Sequence, residues 1–169
     1  MHLATAIERL TAQAQAVAAL GADVAPGQAR WKPTPDAWSM LEVVNHLADE
    51  EREDFRTRLS LTLVAPASEW PPIDPQGWVT ARRYNERELH ASLADYLAER
   101  ATSLAWLRGL EQPDLGSRVE RPWGVMTAGD LLAAWVAHDV LHLRQLVELR
   151  YAYLVEEAQP DSVGYAGEW

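Results

Sequence analysis

The stretch LLAAWVAHDVLHLRQLVEL, Leu131 to Leu149, decides how this chain folds. Leu131, Trp135, His138, His142, Gln145 and Leu149 recur at alternating steps of four and three, the seam that an α-helix turns toward the centre of a bundle. Two imidazoles therefore stand one turn apart on the inward face. Polar rings placed there cost stability unless they find partners. One divalent metal ion is the simplest partner for both at once; two hydrogen-bonded core histidines are the alternative. Thr127, with Asp130 three residues on, caps the start of this helix, which is expected to run to about Tyr153.

Three further helices follow from the same periodicity. Leu3, Ile7, Leu10, Ala14 and Val17 mark the first, and Gly21 supplies its stop. Ser39 and Glu42 form a capping box that opens the second, which carries Met40, Val43, Val44, Leu47 and Phe55 and reaches about Leu63. The third is expected from about Thr80 to Leu110, with Leu89, Leu93, Leu97, Leu104 and Leu107 inward. Nothing alternates with period two over a useful length, so the fold class is all-α. The connections, about residues 21–38, 64–79 and 111–126, are rich in Pro and Trp and longer than a tight bundle needs. The second is long enough to cross the bundle and join two parallel helices. Trp31, Trp38, Trp70, Trp78 and Trp123 fall in segments that read as loops, where they either wall a pocket or seal the bundle ends. The whole chain, 1–169, reads as one domain with its core in 3–153 and a surface strap in 156–169.

Composition excludes several classes of function. The formal charge is −10, with the acidic residues dispersed, which disfavours nucleic acid because phosphate binding needs clustered Lys and Arg. No apolar run is long enough for a membrane span, and the segment MHLATAIERL has no signal-peptide character, so a cytoplasmic location is the expectation. There are no cysteines. Any metal must therefore be held by nitrogen and oxygen, and any thiol chemistry needs a thiol from outside.

His138 and His142 need a third ligand from a facing helix. His46, on the edge of the second helix's apolar stripe beside Val43 and Glu50, is the candidate; alone it would read as a satisfied core residue. Glu50, one turn further on, could be a fourth ligand, a general base, or the acceptor that orients His46. It could equally be a solvated charge in the acidic run Asp49-Glu50-Glu51. His2 and His90 have no such context. His138-Asp-Val-Leu-His142 resembles the zincin motif with Asp in place of Glu, but only Glu148, Glu156 or Glu157 could then supply a downstream ligand.

Trp38-Ser39 opening the second helix, Asn45-His46 within it, and His138, His142 and Gln145-Leu146 in the last helix resemble the DinB-like superfamily, also called the YfiT-like group of metal-dependent hydrolases. The resemblance covers about residues 3 to 150. It implies an up-down-down-up four-helix bundle, a metal site made of His46, His138 and His142, and often a homodimer; Ala6, Ala16 and Trp106 suggest additional apolar surface for a second copy. The resemblance also implies thiol chemistry, because some members are S-transferases that use a low-molecular-weight thiol such as bacillithiol, and relatives include mycothiol-dependent isomerases and glutathione S-transferase-like enzymes. The first expectation is thus one divalent ion (zinc first, then nickel, iron, copper or manganese) that activates an external low-molecular-weight thiol toward a small electrophile. Glu50 would take up the thiol proton, and Arg144, if it does not face solvent, would hold a cofactor carboxylate. Hydrolysis by a water that the ion activates, and a non-enzymatic stress-response module with a structural metal, are the alternatives.

Overall fold

A computed structural model describes residues 1–122 and 124–167. Its frame is four long helical rods: α1 (Leu3–Gly21), the run α3 (Met40–Asp49), π-helical segment (Glu50–Phe55) and α4 (Arg56–Val64), then α6 (Leu89–Arg108) and α7 (Ala128–Glu157). Two short helices, α2 (Pro26–Arg30) and α5 (Pro75–Ala81), lie in the connections. Both capping boxes form as the sequence specifies, Ser39 with Glu42 and Thr127 with Asp130. No described helix is long and apolar enough to cross a membrane.

Cross-helix bonds establish the directions. Gln13 donates to the Val136 carbonyl and Arg150 to that of Leu20, so α1 and α7 run parallel. Asn45 meets Ser92, Arg52 meets Glu99 and Arg56 meets Ser103, so the second rod and α6 also run parallel. His46 faces His138 while Glu51 meets Trp135, which sets the second rod against α7. The topology is up-down-down-up, and residues 65–88 make the crossing between the two parallel rods.

The apolar core divides into two clusters. One gathers Val17, Leu41, Leu47, Tyr96 and Leu146, the other Leu10, Phe55, Leu59, Leu107, Leu132 and Trp135. Between them, in each rod, the chain places a buried polar residue: Gln13, Glu51, Arg100 and Asp139. Arg100 is 1% exposed and uses all five of its N–H donors. They reach Glu51 at 2.9 and 2.6 Å, the Leu10 carbonyl at 2.9 Å and both oxygens of Asp139 at 2.7 and 2.9 Å. Trp135 also donates to Glu51 at 2.7 Å. Burial opposes the guanidinium charge, but the two carboxylates outweigh it and hold the Arg100 pKa above its ordinary value.

Several expectations need correction. The third rod starts at Leu89, not Thr80, because tertiary contacts capture the residues before it. Tyr84 is fully buried with its hydroxyl donating to Asp49, Arg82 pairs with the same carboxylate, and Arg83 takes a left-handed φ of 48°. Leu97 is 37% exposed rather than inward. The third connection contains a hairpin, β1 (Arg118–Arg121) against β2 (Gly124–Thr127), in which Arg118 pairs with Thr127 and Arg121 with Gly124. Only Val119 of the two strands is buried, so two four-residue strands left no readable alternation. Trp78 lies within α5 beneath the Arg82 guanidinium, and Trp31 packs edge-on against Tyr153. Trp123 and the end of the strap, Glu168-Trp169, lie outside the described residues. The strap itself begins later than expected, since Glu156 and Glu157 still belong to α7. Ala6 is buried in the chain's own core and offers no surface to a second copy, while Trp106 is half-buried against that core.

The charged layer gives a stability prediction. Arg100→Met strands two buried carboxylates and should cost about 3–5 kcal/mol in urea unfolding. Adding Glu51→Gln and Asp139→Asn removes the stranded charges, so the triple variant should be more stable than Arg100→Met alone. A triple variant weaker than the single one would contradict the assignment.

Candidate metal centre

His46 comes from α3, a helix in which every residue is buried, and His138 and His142 come from consecutive turns of α7. The rings meet at their Nε2 atoms. His138 Nε2 lies 3.3 Å from that of His46 and 3.1 Å from that of His142. Ligands about 2.1 Å from a common ion have this spacing. Among the described residues no other group of three His, Asp or Glu side chains converges in this way. His2 and His90 are exposed and do not belong to the cluster.

The protons cannot satisfy this cluster unaided. Gln145 Oε1 lies 2.8 Å from His142 Nδ1, and an amide oxygen only accepts. With the amide so oriented, Nδ1 carries the proton and the neutral ring turns its Nε2 lone pair to the meeting point. His138 Nε2 can donate its one proton to that lone pair, which leaves His46 Nε2 without a partner of opposite sense. His46 Nδ1 has no hydrogen bond either. A cation at the meeting point would accept all three lone pairs. Burial, reinforced by His142, lowers the His46 pKa to about 3. Burial, reinforced by His142, His46 and Arg100, does the same for His138. Burial also lowers His142, against the opposing bond to Gln145. The rings are therefore neutral, the form that donates to a metal.

The acidic run does not face water. Asp49, Glu50 and Glu51 are all buried because the rod that carries them is enclosed, and the π-helical segment spreads them in three directions. Asp49 holds Arg52, Arg82 and Tyr84, and Glu51 holds Arg100. Glu50 approaches His46 at Nδ1, 3.8 Å away, on the ring edge opposite the meeting point. That position suits an orienting or proton-holding group and does not suit a fourth ligand. Burial and the neighbouring Asp54 push the Glu50 pKa up to about 8, and burial raises Asp54 as well, so the pair retains a proton near neutral pH. The sequence reading missed Asp54, although Glu50, Asp54 and Arg58 follow at helical steps of four.

Asp139 cannot act as the general base of a zincin-like site, since both of its oxygens bind Arg100. Glu156 and Glu157 lie at the far end of α7 from the cluster, and the third converging nitrogen belongs to His46. Arg144 is 70% exposed and pairs with Glu148. A cavity of about 630 Å³ opens over the cluster, with His46 and His142 in its floor. Its walls are Trp38, Pro33, Leu149 and Ala152, with Gln76, Gln145, Asp36 and Glu148 as the polar lining. Trp38 stacks parallel to His142 at 6.4 Å between ring centres and leans on His46 at 4.9 Å.

Fold and site together define an up-down-down-up helical bundle with a three-histidine cluster beneath a pocket. A family model of the DinB superfamily matches residues 9–146, and the chain belongs to that superfamily. Among solved structures it is similar to YfiT from Bacillus subtilis, described as a "probable metal-dependent hydrolase with an unusual four-helix bundle topology". The TM-score is 0.76 at 21% identity, over 87% of this chain and 85% of that one, a likeness of fold. No curated protein matches the sequence significantly.

The Gln145 contact predicts a tautomer. In metal-free protein, nitrogen-15 NMR should find the His142 proton on Nδ1, and Gln145→Leu should move population toward Nε2–H. An unchanged tautomer in the variant would remove Gln145 from its orienting role.

Proposed function

We propose that His46, His138 and His142 hold one divalent metal ion through their Nε2 atoms and that the chain is a metal-dependent hydrolase of a small molecule. The observation that carries this reading is the convergence of three neutral imidazoles at the floor of an open pocket. Three nitrogen ligands leave coordination positions for reaction, the pattern of a catalytic rather than a structural site, and zinc is the first choice of ion. When bound there, such an ion supplies Lewis acidity and lowers the pKa of the nucleophile that it holds.

The chain's own residues do the rest. Gln145 fixes His142 with its lone pair inward. The Glu50–Asp54 pair keeps a proton in reserve behind His46. Trp38 and Leu149 keep water from one wall of the pocket and offer an apolar face to a substrate. The amides of Gln76 and Gln145 are within the lining to orient polar groups.

Transfer of an external thiol is the second reading, supported by the family resemblance, by the absence of cysteine from the chain and by a pocket large enough for two small reactants. The lining supports water over thiol. Glutathione and bacillithiol carry carboxylates, and among the described residues no Lys or Arg lines the pocket.

Two measurements test these statements. Protein purified without a nickel column should carry about one ion per chain by elemental analysis. His142→Ala should lose it and His90→Ala should keep it; equal loss in both would refute the ligand assignment. Metal-loaded protein should then turn over members of an ester, amide and lactone panel with no thiol present, and chelation should abolish the rate. Thiol-dependent conjugation of a brominated bimane above the uncatalysed rate, with no hydrolysis of the panel, would replace hydrolysis by thiol transfer.

A further inference from the structure

The charge of the pocket lining restricts what can enter it. Among the described residues, its only ionisable side chains besides the histidines are Asp36, in the segment leading to α3, and Glu148, on α7. Asp36 has no ion-pair partner among the described residues. Glu148 meets Arg144 at 3.2 Å, but that guanidinium is 70% exposed and outside the lining, where water screens the pair. The indole of Trp38 lines the same pocket as these carboxylates and packs against both His46 and His142. An aromatic face with carboxylates nearby and no competing cation is the composition that recognises an ammonium group. The formal charge of −10 acts in the same sense at longer range, drawing cations toward the molecule and repelling anions.

We propose that the pocket admits small molecules that combine an ammonium group with an apolar portion, and that it selects against carboxylates. The apolar portion packs on Trp38 and Leu149, the ammonium lies toward Asp36 and Glu148, and the reacting group faces the three histidines. This rests on the reading above for the reacting end only; the charge preference belongs to the lining and exists with or without a metal.

The test uses three probes that share one metal-binding head: benzohydroxamic acid, its 4-trimethylammoniomethyl analogue and its 4-carboxy analogue. Each is titrated into the cobalt-loaded chain and followed by the visible cobalt absorption. With two carboxylates and an indole acting together, the ammonium probe should bind about tenfold or more tighter than the carboxylate probe, with the parent between them. The gap should shrink with added salt and nearly vanish in the Asp36→Asn, Glu148→Gln double variant, which leaves cobalt binding intact. Equal affinities, or tighter binding of the carboxylate, would overturn the proposal while leaving the metal site standing. If cobalt gives no ligand-field spectrum, the metal reading fails instead. Charge selection is then decided in metal-free protein by the NMR shift of the Trp38 indole, titrated with benzyltrimethylammonium and with phenylacetate. A saturable shift with the ammonium alone, lost in the double variant, sustains the proposal, and no shift with either sinks it.

Discussion

Arg100 carries a full charge into the middle of the bundle, and the positions of the four rods follow from how that charge is met. Moving a guanidinium out of water costs several kcal/mol unless its donors are all occupied. Here the five donors go to three different elements: the backbone of α1, Glu51 of the second rod and Asp139 of α7. An apolar layer tolerates small rotations and slides, whereas a fork held by two carboxylates and a carbonyl does not. Glu51 and Asp139 each stand beside a residue of the site. With Asp139 turned to Arg100, His138 is rotated about 100° round α7 toward α3. With Glu51 turned the same way, Glu50 faces His46. The charged layer is thus a register pin for the chemistry next to it. Its charge also joins burial in disfavouring protonation of His138.

Much of this was legible in the sequence, for reasons that can be stated residue by residue. α1 and α7 have regular seams and clear ends, and Ser39 with Glu42 marks the start of the second rod through a local hydrogen-bond pattern. The histidines were legible because helical spacing alone puts His138 and His142 on one face, and a facing helix supplied a third. What was not legible depends on neighbours distant in sequence. Nothing local says that residues 82–84 will be drawn to Asp49, or that a run of three acids will be enclosed on every side. Helical propensity favoured continuing α6 backward from Leu89, and tertiary contacts with Tyr84 and Arg82 prevailed. The fate of Asp49, Glu50 and Glu51 turned on a π-helical segment, which no periodicity rule anticipates.

The enclosed acids change the meaning of the site. A three-histidine cluster in an ordinary apolar core would be neutral because charging it is costly, and no more than that. In this chain five carboxylates, Asp49, Glu50, Glu51, Asp54 and Asp139, are buried in the middle of the bundle, while the nearest buried guanidinium is already committed to two of them. Burial, joined at Glu50 by the neighbouring Asp54, makes the Glu50–Asp54 pair retain a proton. Burial therefore opposes further charge on these acids, and it keeps the three rings neutral at the point where their Nε2 atoms meet. Neutral ligands within an acidic setting bind a divalent cation without giving up its net charge, which keeps it an effective Lewis acid.

The same reasoning extends outward to the pocket mouth and explains why the chain's sign of charge matters for function. A centre that holds a cation and activates a nucleophile must still admit its substrate, and substrates differ in how they respond to an acidic protein. An anionic substrate would be drawn by the ion but repelled by Asp36 and Glu148 on the way in, with no Lys or Arg among the described lining residues to offset them. A cationic or neutral substrate meets the opposite arrangement: attraction at the mouth, an aromatic wall at Trp38, and an uncharged nitrogen cage at the floor. Charge at the entrance and charge at the centre thus do different work. Burial holds the histidines neutral, and the two outer acids sort what can reach them.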